Sequence, residues 1–200
     1  MSLTRQSVFA APILCSLLLP ALFLTAQGQA QSSADNKLAL KASLVLTPEF
    51  CATTIQQGGF FTGKEKFEVG KAACAELEPA LQGAFTRLTR VAAPPPPEAG
   101  AVVLLPKFDE AAATRRTGVT IFNKPKKDLL VVLEWTITDP SGKTVWLQTV
   151  QGTAETKGRP NGTLSKKAMT LLVEAAVKNA ADQSATQMAS AQELRALPPR

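Results

Sequence analysis

The sequence contains no histidine and no tyrosine among its 200 residues. Without histidine there is no imidazole to act as a general base, to activate a serine or cysteine, or to bind a metal ion. Charge is also moderate, because 22 Lys and Arg residues stand against 16 Asp and Glu residues. This composition is typical of one globular domain and excludes His-dependent enzymes. We expect neither a metal nor a cofactor.

The first 30 residues have the composition of a secretory signal. Arg5 is their only charged residue, an apolar run covers 13–24, and small and polar residues follow up to Ala30. Pro20 interrupts the run, whereas a membrane-spanning helix needs about 20 continuous apolar residues. We therefore expect a signal peptide over 1–30 with cleavage after Ala30. The mature chain is expected to be periplasmic or secreted and not to span a membrane.

Beyond residue 30 the chain keeps two cysteines, Cys51 and Cys74. In an oxidising compartment such a pair forms a disulfide by default. The alternative is a redox-active or metal-binding pair, but the spacing is not C-x-x-C and further ligands are missing. We expect a Cys51–Cys74 disulfide that ties the loop after the first strand to a helix.

Hydrophobic periodicity divides the first half of the mature chain. Alternating apolar residues over 37–46 predict a half-buried strand, and the Thr-, Gln- and Gly-rich stretch 49–63 predicts a loop. Apolar residues at steps of three and four over 69–91 predict a helix. Pro79 lies inside this helix and predicts a kink or a new helix start.

The following segments are marked by proline and by apolar runs. Consecutive prolines predict a stiff connector over 92–98, and the apolar run 101–105 predicts a short central strand that Pro106 ends. A final long helix begins at a cap supplied by Thr163 or Ser165 and continues almost to the C-terminus.

Asp139-Pro140-Ser141-Gly142 matches a type I turn between two strands. Pairing Asp139 with Lys143 places Ile137 opposite Val145 and Trp135 opposite Leu147. The predicted buried face consists of Val131, Leu133, Trp135, Ile137, Val145 and Leu147. Trp146 then projects from the other face, either as an anchor for a partner or lipid or as a side chain covered by a loop.

The order of these elements predicts an α+β fold over residues 31–197. We expect a single domain with a mostly antiparallel sheet of four or five strands and two helices packed on one face. The other face of the sheet is left to solvent or to a partner.

Three stretches resemble small bacterial envelope proteins: residues 69–88, the hairpin over 130–146, and the Ala-rich C-terminal helix. The resemblance is to the auxiliary lipoproteins of ABC-type lipid transporters and to the lipoprotein partner of the lipopolysaccharide-transport barrel. It implies a non-enzymatic accessory factor of the periplasm. The sequence departs from many of these proteins because it lacks a lipidation cysteine: Cys15 follows Leu14 inside the apolar run.

Basic residues form two groups that are candidates for binding an anion or a partner. The first contains Arg115, Arg116, Lys124, Lys126 and Lys127, and the second contains Arg159, Lys166 and Lys167. The second group lies near a helix start, where free amides favour anions such as the phosphate of a lipid headgroup. Ordinary solvated lysines are the alternative. Modest charge and few aromatic residues exclude nucleic acid as a partner.

We expect a non-enzymatic accessory, assembly or transport-associated protein that binds an envelope protein or an anionic lipid. One alternative is a secreted hydrolase that uses carboxylates such as Asp109, Glu110 or Glu134. Another is a periplasmic lipid carrier, which requires a deep apolar cavity between helices and sheet. No residue is assigned a catalytic role.

Overall fold

The computed structural model describes residues 37–57, 65–96, 100–109, 126–157 and 165–198. Within these ranges the helices are α1 (Pro48–Cys51), α2 (Val69–Gln82), α3 (Lys166–Ser190) and α4 (Gln192–Arg195). The strands are β1 (Leu38–Val45), β2 (Ile55–Gln57), β3 (Glu65–Phe67), β4 (Phe85–Val91), β5 (Val102–Phe108), β6 (Lys126–Thr138) and β7 (Thr144–Lys157). The expected signal peptide lies outside the described residues. The described part of the connector, residues 92–96, forms neither helix nor strand.

Within the described residues, five strands form one mixed sheet in the order β4-β1-β5-β6-β7. Strand β1 runs parallel to β4 and β5, whereas β6 runs antiparallel to β5 and β7. The short strands β2 and β3 pair with each other in a separate sheet. The predicted α+β class is confirmed, with parallel pairs on the β1 side of the sheet and antiparallel pairs on the β6 side.

Helices α2 and α3 contact each other, and α3 lies across β6 and β7. The apolar stripe of α3 joins the same buried cluster as α2 and the sheet. Its members include Leu172, Val173, Ala176, Ala180 and Met188. Ser165 caps α3 as expected, because its side chain accepts a hydrogen bond from the amide of Ala168 at 3.2 Å. The expected layer of two main helices on one face of the sheet is thus present.

The close approach of α3 to β7 depends on Gly152. A Cβ atom at this position would lie 2.2 Å from the carbonyl oxygen of Ala176 and 2.4 Å from the amide nitrogen of Ala180. The helix backbone therefore rests directly on the strand. Glycine is required here for space, not for an unusual backbone conformation.

The predicted helix over residues 69–91 is wrong beyond Gln82. Helix α2 ends there, and Phe85–Val91 form the edge strand β4. Phe85 and Leu88 fit a helical spacing, but they lie opposite Leu38 and Ala42 of β1. Pairing with a distant strand overrides a local periodicity that suits either structure. Pro79 remains inside α2.

The predicted loop over residues 49–63 is also wrong in part. Its described portion contains most of α1 and the strand β2. Thr47 caps α1 by accepting a hydrogen bond from the amide of Phe50 at 3.1 Å, and Pro48 occupies the first turn. Both are ordinary signals of a helix start. Thr47-Pro48 therefore begins a helix as well as ending the strand.

Pro106 does not end β5, which continues to Phe108. The amide of Asp109 donates to the carbonyl of Val132 in β6 at 2.9 Å. Because hydrogen-bonding direction alternates along an antiparallel pair, the nitrogen of Pro106 points away from β6. On that side β1 pairs with β5 only as far as Leu104. Proline therefore removes no sheet hydrogen bond at this position.

Candidate functional site

Cys51 at the end of α1 and Cys74 in α2 form the expected disulfide, with Cα atoms 5.7 Å apart. Cys74 is 9% exposed and counts among the core residues, whereas Cys51 is half-buried. A second link between these segments is the hydrogen bond from the amide of Gly70 to the carbonyl of Thr53 at 3.0 Å. The disulfide thus lies at the surface end of a packed contact between α1 and α2.

The guanidinium of Arg90 lies beside this disulfide. Nη1 donates to the carbonyl oxygen of Cys74 at 3.1 Å, and Nη2 lies 4.0 Å from Sγ of Cys51. Arg90 faces the helices because it lies opposite Leu44 in the β1–β4 pair. Cys51, Glu78 and Arg90 line one shallow depression at the surface. Sequence reasoning missed Arg90 because it placed this residue at the end of a helix.

The turn of the β6–β7 hairpin forms as predicted. The amide of Gly142 donates to the carbonyl of Asp139 at 2.9 Å, and the amide of Asp139 donates to the carbonyl of Lys143 at 2.9 Å. Gly142 has φ of 85°, in the left-handed region where glycine is favoured. Asp139 and Lys143 therefore close the three-residue loop expected from the sequence.

Beyond the turn, a bulge changes the predicted register by one residue. Thr138 lies opposite Thr144, but Ile137 lies opposite Trp146, so Val145 is the extra residue. The predicted pairing of Trp135 with Leu147 is therefore wrong, as Leu147 lies opposite Thr136.

The bulge exchanges the faces of Trp146 and Leu147. Trp146 is only 6% exposed and belongs to the core, whereas Leu147 is 56% exposed. Our expectation that Trp146 projects from the face opposite the core, either as an anchor or under a loop, is therefore wrong. Leu147 is the large apolar side chain that reaches solvent on that side.

The described helices pack on one side of the sheet, and we call the other side the second face. On β5, β6 and β7 it carries Val103, Leu105, Leu130, Val132, Glu134, Thr136, Leu147, Thr149 and Gln151. Leu130 and Val132 are buried, Val103 and Leu105 are half-buried, and Leu147 and Thr149 are exposed. The second face thus combines aliphatic and polar side chains with charged ones such as Lys107 and Glu134.

Lys166 lies in a groove between α2 and α3 with a volume of about 450 Å³. Three lysines line this groove together with three glutamates: Lys66, Lys71, Lys166, Glu68, Glu76 and Glu174. Lysines at a helix start are unfavourable unless negative charge lies nearby, and the three glutamates of the groove supply it. Lys167 is exposed and is not among the lining residues of this groove. The groove is charge-balanced and does not favour an anion.

Both basic groups extend beyond the described residues. Arg115, Arg116 and Lys124 of the first group and Arg159 of the second lie outside them. Lys126 and Lys127 begin β6, opposite Lys157 and Thr156, without described side chains. The described part of the chain therefore does not assemble a basic cluster.

The acids considered for a hydrolase do not share a described cleft. Asp109 lies opposite Val132 at the end of β5, and Glu134 lies on β6 opposite Lys107. Both positions belong to the second face of the sheet, and Glu110 lies outside the described residues. Asp109 and Glu134 therefore lie on a sheet surface, which does not favour the hydrolase alternative.

Local hydrogen bonds and charges explain the pKa shifts resolved in the described chain. The hydrogen bond from Ser141 lowers the pKa of Asp139, and backbone amides lower the pKa of Glu49. Asp182 raises the pKa of Lys178, with which it forms an ion pair of 2.8 Å. These shifts arise from a helix start, a turn and an ion pair within a helix, and they do not mark a catalytic cleft.

Within the described residues, no cluster of three or more His, Cys, Asp or Glu residues has a geometry that could hold a metal ion. In the same part of the chain, no helix has the length and hydropathy of a membrane span.

No family model and no curated protein matches the chain. Solved structures do: a minor lipoprotein of Acinetobacter baumannii at 13% identity covers 77% of this chain and 93% of its own, with a TM-score of 0.44. A Caulobacter crescentus protein proposed to be a lipoprotein has 15% identity, coverage of 71% and 92%, and a TM-score of 0.42. The PelC dodecamer of Paraburkholderia phytofirmans has 18% identity, coverage of 70% and 87%, and a TM-score of 0.32. We assign no activity, ligand or partner from these similarities.

Proposed function

We propose that this chain is an exported, non-enzymatic envelope protein that acts by binding a protein partner through the second face of its sheet. Export is supported by the Cys51–Cys74 disulfide, because cytosolic thiols are kept reduced whereas the periplasm is oxidising. It is supported further by the signal-like composition of residues 1–30.

The observation that carries the proposal is the exposure of Leu147, at 56%, on the second face. Half-buried Val103 and Leu105 lie on the same side of β5, and Thr136 lies directly opposite Leu147. Protein interfaces have centres that are poor in charge and rims that are polar. Thr136 and Thr149, which neighbour Leu147 on this face, are uncharged, and the pair of Lys107 and Glu134 lies in the next row of the sheet.

An anionic lipid is a less suitable partner for this surface. Lys107 and Glu134 lie opposite each other on β5 and β6, so this pair adds no net charge. Binding to anionic membranes depends on several clustered cations. The groove at Lys166 is balanced by glutamates as well. The described residues therefore favour a protein surface over a lipid headgroup.

The lipid-carrier alternative requires a deep apolar cavity between helices and sheet. Side chains fill this layer, since Trp135, Leu77 and Met188 are completely buried in one cluster. At Gly152 the backbone of α3 contacts the strand directly. The geometry therefore does not favour a carrier.

A photo-crosslinking experiment tests the proposal. The benzophenone amino acid is introduced at Leu147 and, as a matched control, at Leu171. Leu171 is 55% exposed but lies on α3, so the two positions differ in location and hardly in exposure. Irradiation of cells is expected to give a discrete heterologous adduct from position 147 only. Leu147→Asp should abolish copurification of the crosslinked protein, and Leu171→Asp should not.

Several results would overturn the proposal. Equal adducts from both positions, or none from position 147, would remove the second face as the binding surface. Adducts consisting only of two copies of this chain would show that the second face mediates self-association and does not bind a different protein. Hydrolysis by purified protein that is lost in Asp109→Asn or Glu134→Gln would establish the enzyme instead. Retention of the protein in the cytoplasmic fraction with free thiols would contradict export.

A further inference from the structure

The two cysteines of the disulfide differ in their surroundings. Cys74 lies on the buried face of α2 at 9% exposure, whereas half-buried Cys51 lines the surface depression that also contains Arg90 and Glu78. A thiolate attacks a disulfide along the S–S axis and must reach one sulfur directly. Of the two cysteines, Cys51 is the one that lines the depression.

The charges beside Cys51 are arranged so that they act on an anionic reagent. Nη2 of Arg90 lies 4.0 Å from Sγ of Cys51, while Nη1 is held by the carbonyl oxygen of Cys74 at 3.1 Å. The carbonyl contact fixes the guanidinium next to the sulfur. Glu78 lines the same depression and opposes the attraction. Because the depression is open to water, these effects are moderate and depend on salt.

We propose that the disulfide is a thiol-exchange site at which external anionic thiols attack Cys51, with Arg90 accelerating and Glu78 retarding the attack. In the first step the external thiolate forms a new S–S bond to Cys51, the Cys51–Cys74 bond breaks, and Cys74 leaves as a thiolate that takes a proton from water. A second thiol then displaces Cys51. The two external thiols are oxidised by two electrons to a disulfide, and the protein is reduced by two. The reagent class is a small thiol or a thiol–disulfide oxidoreductase of the oxidising compartment.

Exchange at this site does not require global unfolding. The ring of Phe50 in α1 stacks on Phe108 of β5 with centroids 4.8 Å apart. The hydrogen bond from Gly70 to Thr53 also joins α1 to α2 without the disulfide. These contacts hold α1 in place after reduction, so the native protein is the reacting species.

The first test measures which sulfur is attacked. Native oxidised protein is treated with reduced glutathione, quenched with acid at early times, and mapped by peptide mass spectrometry. We expect glutathione on Cys51 about tenfold or more in excess over Cys74, on the scale of a 1.4 kcal/mol difference. Equal labelling, or an excess on Cys74, would overturn the proposal. Far-ultraviolet circular dichroism on the fully reduced protein is expected to show the native spectrum.

The second test measures the role of charge. Arg90→Gln should slow attack by glutathione about threefold to tenfold, and Glu78→Gln should accelerate it by a similar factor. Both effects should shrink at high salt. Reduction by the neutral tris(hydroxypropyl)phosphine serves as the control, because its rate reports access to the sulfur and should change little in either variant. Equal changes with both reagents would show that the variants alter packing, and the proposed role of Arg90 and Glu78 would then be wrong.

Discussion

The indole Nε1 of Trp135 donates a hydrogen bond of 2.9 Å to Oγ of Ser184, and both side chains are completely buried. Ser184 in turn donates to the carbonyl oxygen of Ala180 at 2.7 Å. The contact joins β6 to α3 in the interior of the domain. It satisfies the one polar atom of Trp135 and explains why a serine interrupts the apolar face of α3.

Replacing this serine is expected to destabilise the domain. Ser184→Ala leaves the indole N–H without its partner in a dry site, which costs about 1–3 kcal/mol of unfolding free energy. Urea unfolding followed by Trp fluorescence measures this loss. Ser190→Ala is the control, because Ser190 is exposed and bonds only to Gln187 in its own helix. A loss no larger in Ser184→Ala than in Ser190→Ala would show that the hydrogen bond contributes little.

A methyl group at Gly152 is expected to separate α3 from β7. The added Cβ would meet backbone atoms of Ala176 and Ala180 at 2.2 and 2.4 Å, and backbone cannot rotate away as a side chain does. We expect Gly152→Ala to lower the unfolding free energy by about 1–3 kcal/mol or more.

Gly83→Ala is the matched control for this substitution. Gly83 has φ of −70°, and a Cβ atom added there would have the carbonyl oxygen of Ala80, at 3.8 Å, as its nearest neighbour. Alanine is compatible with that conformation and should stabilise by about 0.4–1 kcal/mol through the unfolded state. The midpoints of thermal unfolding of Gly152→Ala and Gly83→Ala test both expectations. Similar midpoints for the two would contradict the close contact between helix and strand.

The hairpin shows how far local sequence determines this fold. The Asp139–Gly142 turn follows from local residue preferences, and its closure by Lys143 is predicted correctly. The extra residue at Val145 has no such local signal. Trp146 and Leu147 are adjacent and both apolar, so a strand that buries either residue fits the sequence pattern. Only packing against the helices selects Trp146 for the core.

The remaining differences have similar causes. The segment from Phe85 to Val91 satisfies a helical spacing and a strand pattern, and its partner β1 lies more than 40 positions earlier in the chain. The sequence suggested an anion site at Lys166 because it does not show that Glu68 lines the same groove. The disulfide was predictable because only two cysteines remain beyond residue 30. Arg90 was not, because its contact depends on the strand that sequence reasoning missed.

The register shift predicts opposite outcomes for two adjacent residues of β7. Trp146→Ala removes a side chain that is 6% exposed and should cost about 3–5 kcal/mol of unfolding free energy. Leu147→Ser changes a side chain that is 56% exposed and should alter stability by less than about 0.5 kcal/mol. Chemical denaturation of both variants checks the register. A large loss in Leu147→Ser together with a small one in Trp146→Ala would support the unbulged pairing.

The hairpin turn is expected to weaken in acid through Asp139. Oδ1 of Asp139 accepts hydrogen bonds from the amide of Ser141 at 2.8 Å, from its hydroxyl at 2.5 Å and from the amide of Lys143 at 3.1 Å. These bonds, with the hydroxyl of Ser141 contributing most, lower the pKa of Asp139 in the folded protein. A carboxyl whose pKa is lower in the folded state stabilises above its unfolded pKa, and this stabilisation is lost as the pH falls through the folded value.

The pH dependence is isolated by comparing the protein with Asp139→Asn, because other carboxylates titrate equally in both. The difference in unfolding free energy should be constant from about pH 7 down to about pH 5, and should narrow from about pH 4 downward as Asp139 is protonated. Urea midpoints measured at half-unit steps of pH give this difference directly. Ser141→Ala, which removes the hydroxyl donor, should shift the narrowing toward higher pH. A difference that stays constant down to pH 2, or that widens in acid, would contradict a carboxylate stabilised in the turn.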